Sequence, residues 1–432
     1  DFEDREWKKI PVPSCWQFYG YGQKHYTDVW YLFPINPPFV PSDNPSGIYR
    51  RSFHLEKKEE GKQYLLRFDG VSSAFDVWVN GKHLGYSKVS RLGSSFDATA
   101  LLREGDNQIA VRVYQWSDGS YLECQDMWWF SGIFREVNLI SVPEKGMKDL
   151  AVYADYRYES GSGKLQLKVD LGIERSTLQE DGTLDEESGS QEDSSSITVL
   201  LKDKADTPLF RERVRFAKGE DGRLSVNYVK ELETVHPWSA EDPYLYELEI
   251  ALERDGAIVD AVTMPVGFRS IEVKGENFLV NGKAILLNGV NMHDFSPTGG
   301  LTVEKGDVEQ DLLRMKRCNI NAIRCSHYPK ASWFYSLCDQ YGFYVIDETD
   351  LETHGFEWIQ RYEWLNDLPS WEAAFCDRAT RMVKEHRNHP SIIMWSLGNE
   401  SSTGQNFVKM AEAIRALDRS RLIHYESDAK AD

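Results

Sequence analysis

The sequence predicts a multidomain, sheet-rich protein: two β-sandwiches followed by a domain of alternating strands and helices built on a parallel sheet. Three observations carry this. The 432 residues are too many for one ordinary core. Up to about residue 270, short apolar runs alternate with polar residues at period two. From residue 271, strand-like and helix-like segments follow one another in turn, the signature of a parallel sheet with helices outside it.

In residues 1–143 the strands are "QYLLRFDGV", "AFDVWVNGKHLGYS", "SSFDATALL" and "NQIAVRVYQW", with Asn80-Gly81 as a two-residue hairpin turn. Residues 144–270 carry "LAVYADYRY", "KLQLKVDLGI", "SITVLLKD", "LYELEIAL" and "VTMPVGFRSIEV", spaced like strands of a second, smaller sandwich. Between them, "STLQEDGTLDEESGSQEDSSS" is acidic and Ser-rich with no apolar period, and is expected to be a solvated loop.

Residues 271–432 read as strand "AILLNGVNMH", helix "VEKGDVEQDLLRMKRC", strand "AIRCSH", helix "ASWFYSLCDQYG" and strand "FYVIDETD". Helix "WEAAFCDRATRMVKEH", strand "IIMWSLGNE", helix "GQNFVKMAEAIRALD" and strand "RLIHYES" follow. Each strand is apolar at its start and polar at its end: His293-Asp294, Ser326-His327, Asp347-Glu348, Asn399-Glu400 and Glu426-Ser427-Asp428. Polar groups at the C-terminal ends of parallel strands describe the active face of a (β/α)8 barrel. A doubly wound sheet places them similarly, but no Gly-rich phosphate loop follows any strand.

A net charge of −19 argues against nucleic acid or an anionic membrane surface as partner. No apolar run reaches the length of a membrane span. A small neutral substrate suits this surface. The 13 Trp and 21 Tyr are common walls of sugar sites, although most such residues serve cores. The 6 cysteines form no C-x-x-C pair, which fits reduced thiols in the cytoplasm. The chain opens on "DFEDREWKKIPVPSCW" and closes on "RLIHYESDAKAD", and both ends read as the middle of a longer sequence.

Several residues carry potential chemistry. Glu400 ends a strand that reads as buried on both sides. A carboxyl held there against Trp395 would have its ionised form disfavoured, as suits a general acid; pairing with Arg or capping a helix is the plain alternative. In "DLETHGF", Glu352 and His354 are two apart, so in an extended segment they point the same way and can share a divalent ion with a third ligand; a simple His–carboxylate bond competes with that reading. His293 and His327, at two strand ends, suit sugar hydroxyls or core hydrogen bonds. Asn44 precedes a Pro-Ser-Gly turn, which it would ordinarily stabilise. Asp126 stands beside Trp128 and Trp129, an arrangement in which a sugar stacks on the rings while the carboxylate takes its hydroxyls.

At these residues the chain resembles family 2 of the glycoside hydrolases, particularly the large bacterial β-galactosidases of the lactose-operon type. "NAIRCSHYPKASWFYSLCDQYGFYVI" and "RNHPSIIMWSLGNES" are similar to its two signature stretches; "DNPSGIYRR", "QDMWWFSGIFR" and "VGFRSIEV" match earlier in the chain. The resemblance implies a jelly-roll sugar-binding domain, an immunoglobulin-like sandwich and a catalytic TIM barrel, of which about five strands are present. It implies a retaining β-galactosidase cleaving terminal β-D-galactosides such as lactose, working as a homo-oligomer. Glu400 matches the acid/base. Glu352, His354 and Glu400 match ligands of Mg2+. Asn44, Asp126, His293, His327 and Asn399 match residues around the galactose, and Asp126 also matches a ligand of a monovalent cation, Na+. The family's nucleophilic Glu lies on the seventh barrel strand, and the fifth is the last read here, so the chain by itself is expected to be inactive. Rival readings are a β-glucuronidase or β-mannosidase of the same family, or a non-catalytic carbohydrate-binding chain or split-enzyme half that needs a partner.

Overall fold

The alternation read in the first β segment builds two sheets around one core. The computed structural model describes residues 3–172, 195–216 and 224–428. Ser46–Leu55, Gly105–Tyr114, Ala74–Val79 and Lys82–Ser87 pair in that order as an antiparallel sheet. Val137–Pro143, Lys62–Phe68 and Ser94–Asp97 form a second. Leu66 and Phe68 from one sheet meet Phe75, Val77, Val111 and Val113 from the other in a shared buried cluster. Asn80 (φ 52°) and Gly81 (φ 79°) make the expected tight turn, with Val79 paired to Lys82. Ser46–Leu55 and Val137–Pro143 were not among the expected strands. Neither has a fully buried residue, so their sequences show no clean two-residue period.

The second sandwich packs Met147–Arg157, Ser162–Leu171 and Leu224–Leu232 against a sheet of Pro208–Arg215, Ser196–Lys202, Tyr246–Arg254 and Ala257–Val266. Leu165, Leu167 and Val169 interlock with Ile197, Val199 and Ile250 between them. Nearly all of the acidic Ser-rich segment lies outside the described residues.

Five parallel strands follow: Gly289–Asn291, Ala322–Arg324, Tyr344–Glu348, Ile392–Ser396 and Leu422–His424. Their spatial order equals their chain order. A doubly wound sheet reverses direction at a switch point, so this unbroken order is that of strands along the arc of a barrel. Helices Lys305–Arg317, Ser332–Tyr341, Pro369–His386 and Gln405–Leu417 connect them. A 3-10 turn, His354–Ile359, and a short helix, Glu363–Asn366, were not anticipated; both lie between the third strand and its following helix.

The first sandwich meets this sheet through buried charges. Arg378, 1% exposed, donates to Glu123 at 2.8 Å and lies 3.6 Å from Asp350 Oδ2. Arg91 holds Asp350 from the other side at 3.0 Å. Burial and then the Asp350 charge push the Glu123 carboxyl up, against the pull of Arg378. Arg378→Met should therefore cost about 3–5 kcal/mol, because two carboxylates lose a buried partner. A carboxyl with a raised folded-state pKa loses stability as pH rises through that pKa, so the deficit should grow from acid to neutral pH. Thermal melts across that range check both statements; an unchanged melt at neutral pH would contradict them.

Candidate active site

Strand alternation decides which strand-end acids face the mouth of the sheet. In Tyr344–Glu348, Asp347 turns outward, accepting from Tyr335 at 2.6 Å and contacting His386 Nδ1 at 2.7 Å. Glu348, the next residue, faces the other way into a polar hub. It contacts His327 Nδ1 at 2.7 Å and accepts from Arg324 Nε and Ser396 Oγ, each at 2.7 Å. Burial alone would push the Glu348 carboxyl up, but His327 and Arg324 outweigh it and hold it below the usual carboxylate range. Arg324 also donates to Asn399 Oδ1 at 2.9 Å, and Asn399 donates to Glu400 Oε2 at 3.0 Å. His327, Asn399 and Glu400 thus belong to one chain of contacts centred on Glu348 and Arg324, two residues whose roles sequence reasoning missed. Glu348 was visible only as a polar strand end; Arg324 gave no signal of its own.

Gly398 makes the turn after the fourth strand possible. Its φ is 148°, and a Cβ there would lie 2.5 Å from the Leu351 carbonyl oxygen. Glu400 follows with φ 35° and a side chain 48% exposed. The wall expected from Trp395 is not there. Trp395 is fully buried on the helix side, where its indole donates to Asp418 at 2.9 Å and stacks under Arg421. The left-handed turn at Glu400 carries its side chain away from that face.

Glu352 and His354 do meet, although not by strand alternation. Glu352 sits in isolated bridges to Glu123 of the first sandwich and to Asn399, and His354 opens the 3-10 turn. His354 Nδ1 lies 3.1 Å from Glu400 Oε2 and 3.8 Å from Glu352 Oε1. Its Nε2 contacts Glu357 at 3.0 Å. With the Nε2–H donated to Glu357, the Nδ1 lone pair faces two carboxylates, an arrangement that makes sense around a cation. Glu352 is fully buried and neither of its oxygens has a hydrogen-bond partner; Asn399 lies beside it but gives its amide to Glu400. Burial pushes this carboxyl well up, and the Glu400, Glu348 and Asp126 charges add to the shift. One ligand atom from each of Glu352, His354 and Glu400 lies within 4.8 Å of the others. Two carboxylates and an imidazole suit a hard divalent ion.

The other expected residues make contacts of their own. His293 contacts the Tyr328 hydroxyl at 3.3 Å and its ring lies 5.3 Å from that of His327. Burial, then the Lys330 and His327 charges, lower its pKa to about 3, so it is neutral at physiological pH and suited to a neutral hydroxyl. Asp126 is exposed and accepts the Tyr26 hydroxyl, while Tyr26 sits edge-on to Trp128. Asn44 uses its side chain to tie down Trp116, donating at 2.8 Å and accepting at 3.0 Å. Its structural part here is that tie, and Trp116 in turn packs edge-on against Trp129.

Three family models match in tandem. "Glycosyl hydrolases family 2, sugar binding domain" matches residues 2–143, "Glycosyl hydrolases family 2" residues 147–269, and "Glycosyl hydrolases family 2, TIM barrel domain" residues 271–432. The chain belongs to glycosyl hydrolase family 2.

As a family 2 chain it is 42% identical over 436 residues to a curated "Beta-galactosidase" of Psychromonas ingrahamii (strain DSM 17664 / CCUG 51855 / 37), covering 99% of this chain and 40% of that protein. A "Beta-galactosidase" of Yersinia pestis bv. Antiqua (strain Angola) is 42% identical over 426 residues, covering 98% and 40%. This family 2 chain thus spans about 40% of the length of those relatives. Its fold superimposes on a glycosyl hydrolase family 2 member from Bacteroides cellulosilyticus DSM 14838 with a TM-score of 0.75 at 23% identity, covering 100% of this chain and 55% of that one. The sugar-binding, sandwich and TIM barrel parts of family 2 account for the three structural regions above.

Proposed function

We propose that this chain carries the acid/base and much of the sugar-binding wall of a retaining β-galactosidase that hydrolyses terminal β-D-galactosides such as lactose. The observation that carries the reading is Glu400 at the mouth of the parallel sheet, held between Asn399 and His354 in a chain whose relatives are named beta-galactosidases. In this reading Glu400 gives its proton to the leaving oxygen, then takes one from the water that releases galactose. His293, His327, Asn399, Asp126 and Asn44 orient the sugar. The partnering nucleophile, which retention requires about 5–5.5 Å from Glu400, is a carboxylate outside this chain. In this reading, which follows the family resemblance, the enzyme works in the cytoplasm as a homo-oligomer.

Glu352, His354 and Glu400 are proposed to hold Mg2+, and the orphaned, buried oxygens of Glu352 support the fit. Bound there, Mg2+ supplies positive charge that offsets the Glu352 carboxylate and restrains Glu400. Asp126, the expected Na+ ligand, stands outside this cluster with one oxygen taken by Tyr26, so no step is assigned to Na+.

The metal reading has a direct test. Mg2+ at a hundredfold over its Kd should stabilise the parent chain by about 2.7 kcal/mol. Glu352→Gln should abolish that gain. It should also make the metal-free chain more stable at neutral pH, since a buried, unpartnered carboxylate is removed. Melting curves with EDTA and with Mg2+ decide; equal Mg2+ responses in parent and variant would refute the ligand assignment.

A further inference from the structure

The turn that carries Glu400 is clamped from the neighbouring strand. Ile392–Ser396 pairs in parallel with Leu422–His424, Ser396 opposite His424, and Leu397 N donates to the His424 carbonyl at 3.0 Å. Two residues beyond His424, Glu426 Oε1 accepts the backbone N–H of Glu400 at 2.9 Å. Tyr425, between them, donates its hydroxyl to the Ser402 carbonyl. The end of the fifth strand therefore grips the turn on both sides of Glu400.

That turn needs holding. Glu400 (φ 35°) and Ser402 (φ 56°) both have left-handed backbone, which side-chain-bearing residues adopt only when their surroundings enforce it. On the third-strand side, Asn399 N donates to Leu351 O at 3.0 Å, and within the turn Ser401 Oγ donates to Asn399 O at 2.6 Å. The Glu400 amide itself is held by Glu426. Ser427 Oγ donates to the same Glu426 oxygen and fixes its position. Glu426 lies outside the Glu352–His354–Glu400 group, so its part is distinct from theirs.

We propose that Glu426 is a positioning residue for Glu400: by accepting the Glu400 N–H, its carboxylate fixes the left-handed turn that aims the Glu400 side chain at His354. The consequence for metal binding rests on the function proposed above; the consequence for the backbone does not. What matters is an acceptor oxygen at this place, so Glu426→Gln should retain much of the effect and Glu426→Ala should lose it.

Two measurements on the 432-residue chain separate these statements. The first is hydrogen exchange of a peptide spanning Gly398–Ser402. Glu426→Ala should speed its exchange and Glu426→Gln should leave it near the parent, while a peptide spanning Ile392–Ser396 stays unchanged as a check on global folding. Equal exchange in parent and Glu426→Ala would overturn the proposal whatever the metal does. The second is titration with Mn2+ alone, as a spectroscopic stand-in for Mg2+. Glu426→Ala should weaken binding roughly tenfold to hundredfold, the range seen when a ligand's support is removed, and Glu426→Gln much less. Parent-like Mn2+ affinity in Glu426→Ala, alongside lost affinity in Glu352→Gln, would overturn the positioning role and leave the ligand set standing. A parent chain that takes up no Mn2+ would instead count against the ligand set, and the exchange result would then decide the proposal.

Discussion

Glu400→Gln, in an enzyme completed to the length of the family's β-galactosidases, is expected to slow galactosides with poor leaving groups by about 10²–10⁴-fold. Such substrates need a proton on the departing oxygen, and an amide has none to give at neutral pH. Aryl galactosides with activated leaving groups should form the glycosyl-enzyme almost as well as before, then stall, because no base remains to activate water. Azide should restore their turnover, since an anionic nucleophile needs no general base. The assay should be run at saturating Mg2+, because Glu400 is also a proposed metal ligand and its amide would bind more weakly. A uniform loss across leaving groups, with no azide rescue, would remove Glu400 from the acid/base role. The half-exposed side chain at the mouth of the sheet is consistent with a group that must meet both a leaving oxygen and a water.

The second large effect concerns the chain by itself. The 432 residues should show no turnover of an aryl β-galactoside above a Glu400→Gln control, whereas a polypeptide supplying the remaining length of a relative should restore it. Glycosidic bonds owe their lability in such enzymes to two carboxylates acting in concert, and the separation of about 5–5.5 Å leaves no room for a substitute on a distant strand. Glu426, the nearest strand-end acid after Glu400, has one oxygen committed to the Glu400 amide and the Ser427 hydroxyl. The sheet points the same way. Its inner strand Ile392–Ser396 is almost wholly buried, but the first, Gly289–Asn291, leaves Gly289 and Asn291 exposed at an open edge. Such an edge invites pairing with further strands. Activity from the unaided chain, lost in Glu400→Gln, would show that a carboxylate within it serves as nucleophile.

Much of this protein was readable in residue order. Period-two runs located most of the sandwich strands, though Pro208–Arg215 and the alternating Leu224–Leu232 were passed over, and the alternation of strand and helix after residue 271 located all five parallel strands. Both signals are local: a strand or helix displays its own buried face within a few residues. Ser46–Leu55 shows the limit, since a strand with no fully buried residue has no period to display. The strand-end rule also brought Asn399, Glu400, Glu348 and His327 into view, because parallel strands share one polar end.

Tertiary structure decided the rest. Order along the chain could not tell that Asp347 turns to Tyr335 and His386 while Glu348 gathers His327, Arg324 and Ser396. It misplaced Trp395 as a wall for Glu400, because Trp395 pairs with Asp347 on the outward face of the sheet, whereas Glu400 lies past the strand end in a left-handed turn. Nor could it join Arg378 to Glu123, or Tyr26 to Asp126, each pair a hundred or more residues apart. Periodicity records which face of an element is buried. Which charged or polar groups then share that burial depends on how elements pair and cross, and a buried carboxylate such as Glu352 acquires its chemistry only from the neighbours that packing provides.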